Sequence, residues 1–269
     1  MDVPRLFLRL VDDAGLFPPE RLPMAGAVAR HRADAAAGHP VLTHRFLCPS
    51  SRLDELAGRL DDAGKVTVGV VVDTGIDRVL GVDSRLVVET VEVPLPRERP
   101  ADGVEALAAA DVGGQVFGEV PRVDGWREAL AALAERSLGA KVRCGGLQAD
   151  LFPTADELAA FLGACVDLDL PFKATAGLHH AVRYRDPATG FDHHGFLNLL
   201  VAVGRAVDGA TVGDVAAALA VDDAGALAGE ARTMAPTTAE SARRRFVAYG
   251  SCSTSEPIDD LVALGLVGR

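Results

Sequence analysis

Short apolar segments rich in β-branched residues alternate along the chain with segments of helical spacing. Seven of the apolar segments are five to eight residues long and nearly continuous, which is typical of strands buried in a parallel sheet. A weaker segment, Arg5–Leu10, precedes them and is predicted as the first strand of the series. The other seven predicted strands are Val41–Leu47, Val66–Val72, Leu86–Val93, Gln115–Val120, Ala140–Cys144, Pro171–Thr175 and Phe246–Cys252.

The segments between the strands carry the spacing and the start signals of helices. The clearest start signal is a capping box, formed by Thr154 and Glu157. Eight strand–helix repeats predict an α/β fold, a (β/α)8 barrel of the TIM type, as a single domain over residues 1–269. A doubly wound open sheet is the alternative, but no Gly-x-Gly-x-x-Gly follows the first strand. The predicted helices are Leu22–Ala36, Leu53–Leu60, Val104–Ala110, Trp126–Arg136, Leu158–Val166 and Pro257–Leu264.

The connection between the seventh and the eighth strand, residues 176–245, is far longer than a loop with one helix. It holds three further stretches of helical spacing, Gly195–Val207, Val212–Leu219 and Ala224–Arg232. We interpret the connection as a helical insertion that serves as a lid over the barrel or as a contact between subunits of a homo-oligomer.

Composition and charge exclude several classes of function. The formal net charge is −11, whereas nucleic acids and anionic membrane surfaces require a basic face. No window approaches the roughly 18 unbroken apolar residues of a membrane span. The four cysteines are scattered without a Cys-x-x-Cys motif, so we expect free thiols, a cytoplasmic protein and mostly buried, inert sulfur atoms.

Lysine is scarce in this chain. The sequence contains 27 basic residues, of which only Lys65, Lys141 and Lys173 are lysines. Lysine can lose its proton and act as a base or as a nucleophilic amine, which arginine cannot do. Lys65 follows a glycine at a strand start and is interpreted as an ordinary surface cation, so Lys141 and Lys173 are the candidate catalytic lysines.

Alternation along the strands predicts a ring of charges inside the barrel. Lys141 and Arg143 share one face of their strand, as Lys173 and Thr175 do, and a charged face does not suit the helix layer. The site of such a barrel lies at the carboxyl ends of the strands. The ring is either a functional site or a structural network of ion pairs. Its predicted members are Asp73, Glu92, Glu119, Lys141, Arg143 and Lys173.

Two glycine-containing turns are candidate anion-binding elements. Gly145 and Gly146 follow Arg143, where a bare backbone can approach a carboxylate or phosphate held by the guanidinium. The segment 250–257 carries Ser251 and Ser253 ahead of the last helix, an arrangement suited to an anion or to simple helix capping.

Four of the seven histidines lie in the loop after the seventh strand, as the pairs His179-His180 and His193-His194. One member of each pair is expected to face the site and to act as an acid, a base or a metal ligand. Their spacing matches no His-x-His or His-Glu-x-x-His motif, so we predict no resident cofactor and keep a divalent metal as the alternative.

The segment from Phe172 to Gly177, FKATAG, resembles the strand of deoxyribose-phosphate aldolase that carries the Schiff-base lysine. The KVRCGG of strand six and the GSCS of strand eight are similar to that family's second lysine strand and phosphate turn. The order differs, because the second lysine strand follows the Schiff-base strand in that family and precedes it here. The resemblance implies class I aldolase chemistry with Lys173 as the amine. With its strings KVRCGG, KATAGLHH and GSCSTSEP, the whole chain also resembles a bacterial (β/α)8-barrel family, which implies no particular reaction.

These features predict an enzyme that acts on a small carboxylate or phosphate metabolite through carbon–carbon lyase or isomerase chemistry. Lys173 is expected to be the nucleophile or base, with a pKa lowered by Lys141, Arg143 and burial. Glu119 or a loop histidine is expected to transfer protons. A metal-dependent hydrolase or lyase and a non-catalytic binding protein are the alternatives.

Overall fold

The structure, a computed structural model, describes residues 3–60, 64–110 and 112–268. Eight parallel strands form a closed barrel, which confirms the predicted (β/α)8 fold, and two further strands pair in a short antiparallel hairpin. The barrel strands are β1 (Val11–Asp13), β2 (Leu42–Pro49), β3 (Val66–Val71), β4 (Leu86–Pro94), β5 (Gln115–Glu119), β6 (Gly139–Arg143), β7 (Phe172–Thr175) and β10 (Phe246–Ser251), and the hairpin strands are β8 (Tyr184–Arg185) and β9 (Asp192–His193). Their order around the barrel is β1-β10-β7-β6-β5-β4-β3-β2.

The prediction of the first strand is wrong in position. Residues Arg5–Phe7 form a 3₁₀ turn, and the strand that closes the barrel is β1. Arg9 adopts a φ of 48°, a left-handed conformation that interrupts an extended segment. The apolar pattern that predicts buried strands does not find β1, because two of its three residues, Asp12 and Asp13, are acidic.

Ten helices are found in the described residues, and they surround the barrel. The capping box of Thr154 and Glu157 is present at the start of its helix, as predicted. No helix among the described residues is long and apolar enough to cross a membrane. The helices are α1 (Met24–Ala37), α2 (Leu53–Ala57), α3 (Pro100–Ala109), α4 (Trp126–Glu135), α5 (Ala155–Asp167), α6 (Phe196–Val207), α7 (Val212–Ala220), α8 (Ala224–Thr233), α9 (Pro236–Arg245) and α10 (Ser255–Ala263).

The long connection between β7 and β10 has two parts. Residues 176–195 form a loop that includes the β8–β9 hairpin, and α6 to α9 follow it. Helix α6 is buried along nearly its whole length and packs against α5, α7, α8 and α9. Helix α9 was not predicted, because its composition is polar and only Thr238, Ala239 and Ala242 are buried. Three of the four helices of the connection therefore match predicted ones.

The register of the central strands aligns the candidate side chains. Lys141 pairs in register with Glu119 on one side and with Lys173 on the other. The three side chains therefore occupy one level of the barrel interior, near the carboxyl ends of β5, β6 and β7. The predicted inward face of these strands is confirmed.

Candidate functional site

A network of ion pairs crosses the barrel interior and joins residues of six strands. Cations and carboxylates alternate along it, so each carboxylate lies between two cations and each lysine between two carboxylates. Buried charges require such pairing, because an unpaired ion loses its hydration without compensation. In order, the members of this ion-pair network are Arg45, Asp12, Lys173, Glu92, Lys141, Glu119 and Arg143.

Lys173 lies at the centre of the ion-pair network, closed off from solvent. Its Nζ lies 2.6 Å from Asp12 Oδ2, contacts Glu92 Oε1, and lies 5.7 Å from the centre of the Phe117 ring. The side chain is 1% exposed and does not line the cavity described below. An amine that is paired on both sides and shielded in this way is a structural cation in this geometry, and not the accessible nucleophile expected from the sequence.

Lys141 occupies the next position and reaches the cavity. Its Nζ lies 2.7 Å from Glu92 Oε2 and 3.0 Å from Glu119 Oε2. Burial alone would lower the pKa of Lys141, but the two carboxylates outweigh burial and raise it to about 12. Burial likewise opposes ionisation of Glu92, and the two lysines lower its pKa to about 2. These groups are therefore ionised at neutral pH.

Arg143 is the exposed end of the ion-pair network. Its Nε lies 2.9 Å from Glu119 Oε1, and 43% of its side chain is exposed. Within the described residues, its two terminal nitrogens donate no hydrogen bond. A guanidinium with one edge anchored and the other free is a fork for a carboxylate or a phosphate.

A cavity of about 760 Å³ opens at the carboxyl ends of the barrel strands. Lys141, Arg143 and Thr175 line it on the barrel side, together with Gly146. Most of its remaining wall is apolar and comes from the loops after β1, β6 and β7. The apolar lining includes Phe17, Leu47, Val71, Leu147, Leu151, Phe152, Leu178 and Phe191.

The two predicted glycines have different surroundings. Gly146 lines the cavity, whereas Gly145 packs against the backbone of the neighbouring loop. A Cβ at position 145 would lie 2.8 Å from the Cα of Gly177 and 2.8 Å from the ring of Phe152. Close backbone approach therefore explains Gly145. A Cβ at position 146 would collide with the side chain of Leu151, so close packing also explains Gly146, whose backbone lines the cavity.

Three predicted site residues lie outside this arrangement. Asp73 is an exposed residue bonded to Ser50 and Ser51, so its predicted place in the ring of charges is wrong. Ser251 is buried and lies outside the cavity lining, because Gly250 and Cys252, its neighbours in sequence, face the cavity instead. The hydroxyl of Ser253 accepts the N–H of Glu256 at 3.3 Å, which is a capping role at the start of α10.

Three of the four loop histidines line the cavity. His179 is half-buried, and its Nδ1 lies 3.6 Å from Cys252 Sγ. Burial, followed by the nearby His193 and His180, lowers the pKa of His179, so its imidazole is neutral at pH 7. His180 is exposed and lies 3.3 Å from Asp260 Oδ2. The ring of His193 is buried and stacks on Tyr184.

The fourth loop histidine, His194, is a packing residue. Its Nε2 lies 2.8 Å from the carbonyl oxygen of Pro153, and it does not line the cavity. Among the described residues, no group of three or more His, Cys, Asp or Glu side chains converges in the way that metal ligands do.

Sequence reasoning missed Asp12 and Arg45, which complete the ion-pair network. Arg45 Nη1 lies 3.0 Å from Asp12 Oδ1, and the hydroxyl of Thr43 donates to the same oxygen at 2.6 Å. The usable signal was a pair of aspartates directly before a Gly- and Pro-rich loop, a position typical of the carboxyl end of a strand.

Comparison with protein-family models, with curated proteins and with solved structures gives no match to this chain.

Proposed function

We propose that this protein is an enzyme that binds a small carboxylate or phosphate compound in the cavity and transfers a proton at the carbon next to its carbonyl group. Isomerases and carbon–carbon lyases that form an enolate share this step. The reaction needs an anion site, a cation at the developing enolate oxygen, and a base that is unprotonated at working pH. The cavity contains a residue suited to each role.

The observation that carries the proposal is the position of Lys141 and Arg143 on the barrel side of a single cavity. Both are held in place by Glu119, so neither must be reoriented when a ligand binds. Fixed charges aimed at a developing oxyanion stabilise a transition state because their orientation has been set in advance. Arg143, with its free terminal nitrogens, is the anion anchor, and the Lys141 ammonium is the acid that stabilises the enolate.

His179 is the proton-transfer group of the proposal. It is neutral at pH 7, lies in the cavity wall, and belongs to the loop after β7. Glu119 is a weaker base: burial opposes its ionisation, but Lys141 and Arg143 together lower its pKa. A carboxylate whose pKa is lowered by two cations is a weak base, and so removes a proton from carbon slowly.

The first test is binding of inorganic phosphate and of a series of small carboxylates, measured by isothermal titration calorimetry. We expect Arg143→Gln to weaken binding by about 10- to 100-fold, the value of a charge-assisted hydrogen bond. Arg136→Gln is the matched control, because Arg136 holds Glu105 on the outer surface at 2.7 Å. Equal affinity in the wild type and Arg143→Gln would refute the anion site.

The second test follows hydrogen exchange by proton NMR in D₂O, with pools of small keto acids and sugar phosphates. We expect the wild type to exchange the hydrogen next to the carbonyl of at least one compound. We expect His179→Gln to slow that exchange by about 100-fold or more, the usual loss when a general base is removed. Exchange that survives in His179→Gln would assign the base to another group.

A further inference from the structure

One of the four cysteines differs from the others in its surroundings. Cys252 lines the cavity, and its Sγ lies 3.6 Å from the Nδ1 of His179, which lines the same cavity. Cys48, Cys144 and Cys165 are fully buried, and none of them lines the cavity. Within the described part of the chain, Cys252 is the only thiol with an imidazole at hydrogen-bond distance. A thiol beside a base is the arrangement of a nucleophile and its activator.

The backbone around Cys252 also favours the thiolate. Burial and the carboxylates of Glu20 and Glu256 raise the pKa of Cys252, whereas the backbone N–H groups of Glu20 and Ser253 lower it. Cys252 stands three residues before Ser255, the first residue of α10, and so precedes the positive end of that helix in the chain. Negative charge that develops on sulfur during a reaction is therefore partly stabilised by the backbone.

The resting pair is uncharged. Burial raises the pKa of Cys252, and burial also lowers the pKa of His179. The thiol therefore keeps its proton until an electrophile is present, and the neutral imidazole is free to accept that proton as the sulfur attacks. Such a pair works by general-base activation, as a serine–histidine pair does.

The distance from Cys252 to the anion site suits one small ligand. Cys252 follows β10 and Arg143 ends β6, and β7 lies between these two strands. Neighbouring strands lie about 4.8 Å apart, so the two positions are separated by about 10 Å across the cavity. A compound whose anionic group binds Arg143 can therefore place a carbon a few bonds away within reach of Cys252.

We propose that Cys252 and His179 form a nucleophile–base pair that adds to the carbonyl carbon of an anionic aldehyde or ketone bound in the cavity. The S–H bond breaks and its proton passes to His179 Nδ1, while a bond forms between Sγ and the carbonyl carbon. The π electrons of the carbonyl move to its oxygen, which then takes the proton from the imidazolium. The product is a hemithioacetal or hemithioketal, and no other reactant is consumed. The pair stands on its own geometry; the anionic class of the ligand rests on the proposed function.

The test is competitive alkylation of the whole protein by limiting iodoacetamide, with each cysteine quantified by peptide mass spectrometry. In this reaction an S–C bond forms, iodide leaves, and the thiol proton passes to His179. We expect Cys252 to react at least about tenfold faster than the three other cysteines, because access and base activation set thiol reactivity. A Cys252 rate equal to the others overturns the proposal.

Two variants distinguish activation of Cys252 by the His179 base from simple access of the reagent to Cys252. We expect His179→Gln to slow alkylation of Cys252 by about tenfold or more, since general-base help is typically worth this much or more. His180→Gln removes the neighbouring imidazole and should change the rate less than twofold. Unchanged reactivity in His179→Gln overturns the pair. If that variant exposes the three other thiols, His179→Asn takes its place and its rate at Cys252 is judged by the same criterion.

A charged reagent distinguishes this inference from the proposed function. The ratio of the iodoacetate rate to the iodoacetamide rate at Cys252 should fall about tenfold in Arg143→Gln, because the variant loses the anion anchor. An unchanged ratio, with the dependence on His179 intact, would refute the anion site and retain the nucleophile–base pair. Loss of the dependence on His179, with the expected fall of the ratio in Arg143→Gln, would refute the nucleophile–base pair and retain the anion site.

Discussion

Glu92 joins the two buried lysines, so its replacement by glutamine tests whether the ion-pair network holds the barrel core together. The glutamine keeps the shape of the side chain and removes the charge that faces both ammonium groups. Breaking a buried pair by removing one partner typically destabilises a protein by about 3 to 5 kcal/mol. The fall in the pKa of Glu92 from 4.5 to about 2 gives a similar value, about 3 kcal/mol, at about 1.4 kcal/mol for each tenfold change in acidity.

The lowered pKa of Glu92 also determines how the destabilisation caused by Glu92→Gln depends on pH. A carboxylate whose pKa is lowered by folding stabilises the folded protein fully above its unfolded pKa of 4.5. That stability is lost as the pH falls from 4.5 towards about 2. The gap in the free energy of unfolding between the wild type and Glu92→Gln should therefore narrow by about 2 kcal/mol between pH 7 and pH 3.

Urea unfolding followed by circular dichroism at pH 7, 5, 4 and 3 measures this gap. Glu105→Gln is the matched control, because Glu105 pairs with Arg136 on the surface at 2.7 Å and its side chain is 63% exposed. We expect that control to change the free energy of unfolding by less than about 1 kcal/mol. A gap below about 1 kcal/mol for Glu92→Gln at pH 7, or a gap unchanged at pH 3, would refute the reasoning.

Three further predictions concern the same region. Lys173→Arg should cost about 1 to 3 kcal/mol through overpacking and leave phosphate affinity within about twofold. The wild type should give no adduct at Lys173 on borohydride reduction with small aldehydes and keto acids; an adduct there would restore Lys173 as the amine nucleophile. The raised pKa of Lys141 stabilises the folded protein fully below pH 10.5, its unfolded pKa, and this stability is lost as the pH rises through about 12. The difference in the free energy of unfolding between the wild type and Lys141→Met should therefore shrink by about 2 kcal/mol over this pH range, measured by urea unfolding. Gly145→Ala should destabilise the fold by about 1 to 3 kcal/mol in urea unfolding. Gly26→Ala, in the first turn of α1, meets no atom within 4 Å and should stabilise the fold by about 0.5 to 1 kcal/mol.

The barrel and its inward charges follow from local patterns. Short apolar strands, capped helices and the alternation of side chains were sufficient to place Glu92, Glu119, Lys141 and Lys173 inside the barrel. These patterns are local because a strand buried on both faces and a helix start depend on neighbouring residues along the chain. Asp12 escaped this reasoning, since a carboxylate in a three-residue strand is read as part of a loop unless its distant partners are known.

Which inward residues reach the cavity and which are buried in ion pairs depends on contacts between residues far apart in the chain. Lys141 and Lys173 have the same pattern in sequence, yet the first reaches the cavity and the second is closed off between Asp12 and Glu92. Cys252 is likewise an ordinary buried cysteine in the sequence, and it gains a base only because His179, 73 positions away, folds back over the barrel. Exposure and charge pairing arise from the packing of separate strands and loops, so hydrophobic periodicity does not encode them.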